Sequence, residues 1–259
     1  MIPEMVQSYA RVRGLSEQDA LQTFLQVVVL RNLRHDSARL IGGTALVLGH
    51  GNPRFSEDVD LTQISRPAAL GPFLAKAAKE LEGWLDAKIL LTAPKARGAT
   101  WILTARWNDS ELKHLRLHVD SQSYRAHSKA PLVIEFPGLS VFAVESVSVL
   151  EIMADKVIAV AFRRYLGGRD LFDLWFHWLR HDKEPFESGE ISTLVSRKLA
   201  DRGLQKEDWA RRFRARLLVK DLDRARQEWR RYLPRSFQGH DVLEDILSKV
   251  RGLERLLPS

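Results

Sequence analysis

The sequence predicts an α+β protein with a mixed β-sheet in an N-terminal lobe, residues 1–147, and an all-helical C-terminal lobe, residues 148–259. Short β-like runs bounded by turn residues occur only in the first of these lobes. Beyond residue 147 apolar residues recur at helical spacing without a convincing strand. The chain has 259 residues, which is long enough for two lobes that each bury a core.

Helices are expected at the start of the chain. Residues 3–13 are predicted to form a short helix. Ser16 then precedes Glu17 and Asp19, which is typical of a capped helix start with acidic residues in its first turn. Apolar residues at helical spacing continue to about Leu33 and predict a helix whose role is packing.

A glycine-containing segment, residues 38–61, is predicted to form a strand, a glycine turn, a short helix, a loop and a second strand. Gly42 and Gly43 lack a Cβ atom and therefore allow a ligand to approach the backbone closely. The helix that follows from Thr44 offers free N–H groups to an anion. We expect this turn to contact phosphate.

Two aspartates, Asp58 and Asp60, alternate on the second of these strands. Alternate residues of a strand share one face, so the two carboxylates are expected to lie side by side. Such a pair repels unless a cation lies between its members, and Mg²⁺ takes carboxylates together with substrate phosphates. Arg54 and Ser56 could add a charged donor and a hydroxyl to the same site.

The rest of the first lobe is expected to contain one helix, residues 67–86, and three strands. The strands are predicted at residues 88–93, 100–107 and 113–121. Residues 129–140 contain two prolines and a glycine and are expected to form loop and edge structure.

The last of the three strands presents a polar face formed by Arg116, His118 and Asp120. If this strand lies beside the aspartate strand, Asp120 could supply a third carboxylate that binds metal or accepts a proton from the attacking hydroxyl. The alternative is that Asp120, followed by Ser-Gln-Ser, simply ends a strand.

The second lobe is predicted to open with a capping box, Ser148-Val-Leu-Glu151, and a helix that continues through Arg164. Gly167-Gly168 is expected to end this helix, and a second helix is predicted from about Arg169. Lys156 lies among mostly apolar neighbours and could hold the β- and γ-phosphates of a nucleotide. Taken alone, a helical lysine is more often a surface residue.

Repeated arginines in the C-terminal stretch are interleaved with Trp209, Phe213, Trp229 and Tyr232. Such a pattern can grip phosphates and stack exposed RNA bases. The alternative is that the aromatic side chains face a core while the arginines form its solvated rim.

Composition narrows the possible functions. Forty Lys and Arg residues against thirty-three Asp and Glu give a net charge of +7, which suggests a polyanionic partner such as nucleic acid, although many basic proteins bind none. The absence of cysteine excludes disulfides, thiolate zinc sites and cysteine nucleophiles. Without a signal-peptide pattern or an apolar run of about 18 residues, we expect no membrane association and a cytoplasmic location.

A glycine pair followed, after fourteen residues, by Asp-x-Asp resembles the signature of the nucleotidyltransferase superfamily. The fuller string from Gly42 through Arg54-Phe-Ser-Glu-Asp58-Val-Asp60 resembles the AbiEii/MenT toxins of bacterial type IV toxin–antitoxin systems. Lys156 and the Arg-Asp-x-x-Asp-Leu segment that contains Asp173 resemble later motifs of the same family.

This resemblance implies a nucleotidyltransferase fold and Mg²⁺-dependent transfer of a nucleoside monophosphate from an NTP to the 3′ end of tRNA, which would inhibit translation and growth. The donor would be CTP or UTP, or GTP by similarity to AbiEii relatives, and a cognate antitoxin protein would be the partner. The catalytic residues would be Asp58, Asp60, Asp120, Lys156 and Asp173, of which the first three would bind metal. The nucleotide would be bound by Gly42, Gly43, Thr44, Arg54, Ser56 and Lys156.

Three other functions remain open on the sequence. A nucleotidyltransferase could instead modify a hydroxyl of a protein or a small molecule. A phosphohydrolase could use the His-Asp pairs at residues 35–36, 181–182 and 240–241. The chain could also be a catalytically inactive binding module. The missing Gly-x-x-x-x-Gly-Lys and Gly-x-Ser-x-Gly strings disfavour an ordinary ATPase and a nucleophile-elbow hydrolase.

Overall fold

The computed structural model describes residues 2–33, 38–62, 66–95, 99–108, 113–122, 125–179, 189–217 and 223–234, and single positions at 237, 246 and 248. The chain divides into two compact units. The first consists of Met1–Gly51 and Phe55–Val147, and the second of Asn52–Arg54 and Ser148–Ser259.

Four α-helices are described in the first unit: α1 (Glu4–Arg13), α2 (Glu17–Asn32), α3 (Gly42–Gly49) and α4 (Gly71–Leu85). Helix α2 begins where the sequence predicts, because the backbone N–H of Asp19 donates to the hydroxyl of Ser16 at 3.1 Å. Most of α2 is buried, including two glutamines, Gln22 and Gln26. The helix therefore buries polar side chains as well as the apolar side chains expected of a packing helix.

A mixed sheet forms the rest of the first unit and confirms the predicted α+β fold class. Its strands are β1 (Arg39–Ile41), β2 (Val59–Thr62), β3 (Lys88–Thr92), β4 (Thr100–Arg106), β5 (His114–Gln122), β6 (Ala130–Ile134) and β7 (Phe142–Ser146). Their order across the sheet is β3-β4-β5-β2-β1-β7-β6. The neighbours β2 and β5, and β1 and β7, are parallel. The other neighbours are antiparallel.

Strand β5 shows the alternation expected from its sequence. Leu115, Leu117 and Val119 are buried, whereas His118 and Asp120 are partly exposed. Strand β6 is an edge strand that contains Pro131, which agrees with the edge structure predicted for this region. Strand β7 is absent from the sequence-based prediction. It pairs in parallel with β1, and the buried hydroxyl of Ser146 also donates to the carbonyl of Leu40 at 2.8 Å.

The described part of the second unit contains helices and no strand. These are α5 (Val149–Phe162), α6 (Gly168–Leu174), a π-helical turn (Trp175–Leu179), α7 (Glu190–Asp201), α8 (Lys206–Leu217) and α9 (Asp223–Tyr232). The predicted start of α5 is confirmed, since the N–H of Glu151 donates to the hydroxyl of Ser148 at 3.2 Å. None of the described helices has the length and apolar character that crossing a membrane requires.

The prediction that the glycine pair at residues 167–168 ends α5 is wrong. Helix α5 already ends at Phe162, while Gly167 precedes α6 and Gly168 is its first residue. A Cβ atom on Gly168 would lie 2.4 Å from the carbonyl oxygen of Ala225 and 2.5 Å from the Trp229 ring. Glycine is needed here because α9 packs directly against α6.

The core of the second unit contains the four aromatic residues of the C-terminal stretch. Trp209, Phe213, Trp229 and Tyr232 are all buried. The structure therefore supports the core alternative for these side chains, and stacking of RNA bases on them is not supported.

Candidate active site

In the first unit, three aspartates and a histidine share one face of the sheet. Asp60 on β2 and Asp120 on β5 are direct partners in the parallel register. Asp58 lies just before β2, and its Oδ1 is 3.3 Å from Nδ1 of His118. All four side chains are partly exposed. The sequence-based role of Asp120 required its strand to lie beside the aspartate strand, and the structure meets this condition.

Asp120 is held by the antiparallel neighbour β4. Thr100 is the register partner of Asp120, and its hydroxyl donates a hydrogen bond to Oδ1 of that aspartate. This contact fixes the carboxylate and leaves Oδ2 available to a ligand. No local sequence pattern marks Thr100, because its position opposite Asp120 depends on the pairing of the strands.

Gly42 makes room for the carboxylate of Asp60. Its φ is +72°, in the left-handed region that favours glycine. A Cβ atom at this position would lie 2.8 Å from Oδ2 of Asp60. The next residue, Gly43, is buried in the first turn of α3. The glycine turn thus lies directly beside the aspartates, and its contact with phosphate remains a prediction.

The segment that leads into β2 is held by buried hydroxyls. The hydroxyl oxygens of Thr44 and Ser56 are 2.9 Å apart, and Thr44 also donates to the carbonyl of Asp58. These bonds fix the backbone that carries Asp58. Direct nucleotide contacts by Thr44 and Ser56 remain predictions.

Two glutamines of α2 complete this support and were missed by the sequence analysis. Gln26 Nε2 donates to the carbonyl of Ser56 at 2.8 Å. Gln22 Nε2 donates to the carbonyl of Glu57 at 2.7 Å and to that of Arg116 at 2.9 Å. The available signal was the i, i+4 spacing of two glutamines, Gln22 and Gln26, in a mostly apolar part of the helix. We refer to Gln22 and Gln26 together as the glutamine clamp.

In the second unit, Arg54 and Asp173 form a buried ion pair. Arg54 Nε is 2.6 Å from Asp173 Oδ1, and NH2 is 2.9 Å from Oδ2. Burial favours the neutral acid, but the charges of Arg54 and Lys156 and their hydrogen bonds outweigh it and lower the pKa of Asp173. Burial likewise opposes the charged guanidinium, but Asp173 holds the pKa of Arg54 above its ordinary value.

Lys156 belongs to the same network. Its Nζ lies 2.8 Å from Asp170 Oδ1 and 2.9 Å from Asp173 Oδ2. An ammonium group has three donors, so one remains beyond these two contacts. The predicted role of Lys156 as a phosphate ligand is compatible with this geometry and remains a prediction.

Two members of this network, Asp170 and Asn52, were not predicted from the sequence. Asp170 is fully buried and lies in the Arg-Asp-x-x-Asp string, where only Asp173 was singled out. Asn52 donates to Asp173 Oδ1 at 2.8 Å and accepts from the N–H of Arg54 at 3.1 Å. Its Nδ2 is also 3.2 Å from Nε2 of His177 in the π-helical turn. π-Helical turns are frequent at functional sites.

The chemistry of the first-unit aspartates suits a hard divalent cation. Carboxylate oxygens are the ligands that Mg²⁺ prefers. Because Gly42 has no Cβ atom, this residue does not crowd Oδ2 of Asp60. Among the described residues, however, no three His, Asp or Glu side chains converge closely enough to form a preformed metal site. Metal binding by Asp58, Asp60 and Asp120 therefore remains a prediction. The His-Asp pairs at residues 35–36, 181–182 and 240–241 lie outside the described residues.

Solved structures with this fold include a nucleotidyltransferase toxin. The chain is similar to MenT4, a nucleotidyltransferase toxin from Mycobacterium tuberculosis H37Rv, with a TM-score of 0.56 and 18% identity over 96% of this chain and 98% of that one. It is also similar to JHP933 from Helicobacter pylori, with a TM-score of 0.50 and 20% identity over 94% of this chain and 100% of that one. The chain thus shares the fold of these solved structures.

A family model described as the nucleotidyl transferase AbiEii toxin of type IV toxin–antitoxin systems matches residues 24–249. The chain belongs to this family and is a nucleotidyltransferase toxin, which confirms the resemblance seen in its motifs. No curated protein matches the sequence.

Proposed function

We propose that the protein is an Mg²⁺-dependent enzyme that transfers a nucleoside monophosphate from an NTP to the 3′-terminal hydroxyl of tRNA. Blocking this end would prevent aminoacylation and stop translation and growth. The observation that chiefly supports this proposal is the direct parallel pairing of Asp60 with Asp120 beside Asp58. It brings three carboxylates to one face of the sheet.

The reaction joins the acceptor oxygen to the α-phosphorus and releases pyrophosphate, while the hydroxyl proton passes to a base. Asp120 is the candidate base, because the hydroxyl of Thr100 orients its carboxylate. Asp58, Asp60 and Asp120 would hold Mg²⁺, which when bound neutralises charge on the phosphates and the leaving pyrophosphate.

For the triphosphate, the sequence pattern assigns Gly42, Gly43, Thr44, Ser56, Arg54 and Lys156. The geometry supports a direct role for Lys156, whose ammonium group retains a donor. It supports an indirect role for Arg54, whose side chain is 2% exposed and bound to Asp173. Arg54 and Asp173 would then position Lys156.

The donor base and the partner follow from the family resemblance. The candidate donors are CTP, UTP and GTP, and each would be tested separately. A cognate antitoxin is expected, since the family belongs to type IV toxin–antitoxin systems. The enzyme would act in the cytoplasm, where tRNA and NTPs are available.

The test is to incubate the purified protein with Mg²⁺, bulk tRNA and each α-labelled NTP in turn. Label should enter tRNA with one preferred NTP, and chelation of the metal should prevent this. Asp58→Asn should abolish labelling and growth inhibition on expression. The matched control is Asp86→Asn, since Asp86 is exposed and lies outside the site.

Other outcomes would contradict the proposal. Label that enters a protein or small molecule of a cell lysate, but not tRNA, would mean that the acceptor is different. No turnover with any NTP, together with toxicity that tolerates Asp60→Ala, would indicate an inactive binding module. Full toxicity in Asp58→Asn would also defeat the assignment.

A further inference from the structure

Five arginines gather around residues 162–165, at the C-terminal end of α5. We call this group the arginine cluster, and it consists of Arg163, Arg164, Arg212, Arg216 and Arg224. Three of these arginines contact residues 162–165 directly. Arg216 NH2 donates to the carbonyls of Arg163 at 2.7 Å and Arg164 at 3.0 Å. Arg224 lies over the ring of Tyr165, with Cζ 3.1 Å from the centroid. Arg212 lies over Phe162 at 5.3 Å.

The positive charge of this cluster is only partly neutralised. Arg163 pairs with Asp170 at 3.0 Å, and Arg212 pairs with Asp208 at 2.8 Å. Within the part of the chain that the structure describes, no carboxylate pairs with Arg164, Arg216 or Arg224. Like charges held together raise the local potential and favour a polyanion.

The guanidinium groups are also partly ordered before any ligand binds. The two backbone carbonyls hold Arg216, and the Tyr165 ring supports Arg224. Less side-chain freedom is then lost when these groups bind an anion. Arg164 and Arg224 remain exposed and can be reached by a large partner.

We propose that the arginine cluster binds the phosphodiester backbone of the RNA acceptor. This inference deepens the proposed function and rests on it for the identity of the partner. The exposed cations project from a turn and two helices, so they suit successive phosphates of a chain better than one enclosed triphosphate. Since the neighbouring aromatic residues are buried, the contacts go to the backbone and are independent of base sequence.

The test uses Arg164→Gln/Arg224→Gln, which removes two exposed charges. Arg216 is left intact because it binds two backbone carbonyls. The matched control is Arg11→Gln/Arg197→Gln, which removes two exposed charges elsewhere. Arg197 lies on α7. The next residue, Lys198, binds Glu151 and Asp155 in the first turns of α5, so this position is away from the cluster.

Binding of fluorescently labelled bulk tRNA is measured without NTP over a series of salt concentrations, so that no chemistry is needed. Removing two phosphate contacts should weaken binding about tenfold or more at low salt and reduce the salt slope by about 1.4. The KM for NTP should be unchanged, and the control should bind tRNA more tightly than the cluster variant.

Three results would overturn the inference: wild-type tRNA affinity and salt slope in the cluster variant, an equal loss in the control, or a higher KM for NTP with unchanged tRNA affinity. The single variant Arg164→Gln, at a position without a described carboxylate partner, provides a second test if the double variant is unstable. If label enters another acceptor while the cluster variant still loses tRNA binding, the acceptor assignment fails and the cluster remains an RNA-binding site.

Discussion

The guanidinium of Arg54 binds both carboxylate oxygens of Asp173, at 2.6 and 2.9 Å, although the two residues lie 119 positions apart in the sequence. The side chains are only 2% and 0% exposed. Lys156 binds the same carboxylate. One aspartate therefore pairs with two cations from distant parts of the chain, and Asp170 supplies a second carboxylate to Lys156.

We expect Asp173→Ala to lower the free energy of unfolding by about 3 to 5 kcal/mol, because it leaves a buried arginine without its counter-charge. Urea unfolding measures this change. Asp208→Ala is the control, since Asp208 pairs with Arg211 and Arg212 in solvent and such pairs contribute little. Equal stability of wild type and Asp173→Ala would contradict the importance of the pair.

The same ion pair predicts how stability depends on pH. The unfolded chain protonates an aspartate at about pH 4, whereas the folded chain keeps Asp173 charged at lower pH because its pKa is lowered. The stabilisation is therefore complete above this pH and is lost as the pH falls toward the lowered pKa. The difference in unfolding free energy between wild type and Asp173→Asn should be constant from about pH 7 to 5 and shrink below about pH 4. If the difference in unfolding free energy already disappears between about pH 7 and 5, Asp173 is not the group whose lowered pKa sets this pH dependence.

Local sequence patterns predicted the elements of the candidate site that depend on periodicity or capping. The alternation in β5 and the caps at Ser16 and Ser148 are of this kind, and so is the polar face that includes Asp120. The partner of Arg54 is different, because an ion pair across 119 residues leaves no local pattern. The role of Gly168 also depends on α9, which approaches only in the folded chain.

The glutamine clamp should affect turnover more than nucleotide binding. Gln26→Met keeps an unbranched side chain but removes the donor to the carbonyl of Ser56, so the backbone before Asp58 should shift. Leaving that buried carbonyl without a partner should cost about 1 to 3 kcal/mol of stability. Steady-state kinetics should show a lower kcat with a nearly unchanged KM for NTP. Gln18→Met, at an exposed position of the same helix, is the control. A raised KM with unchanged kcat would mean that the clamp does not position the aspartates.

Replacing Gly42 should lower activity much more than stability. In Gly42→Ala the new Cβ atom would lie 2.8 Å from Oδ2 of Asp60, at a backbone φ of +72°. The unfavourable φ should cost about 1 to 2 kcal/mol of stability. Displacement of the Asp60 carboxylate should lower nucleotide transfer by about 100-fold, as misplacement of a reacting group by about 1 Å can do.

The matched control is Gly83→Ala in α4, where a Cβ atom would meet nothing within 4 Å. Replacing glycine by alanine inside a helix should raise stability by about 0.5 to 1 kcal/mol and leave transfer unchanged. Thermal unfolding and the tRNA labelling assay measure both effects on the same preparations. If Gly42→Ala folds and transfers nucleotide at the wild-type rate, the close approach of Gly42 to Asp60 has no part in catalysis, and the glycine turn would serve the fold alone.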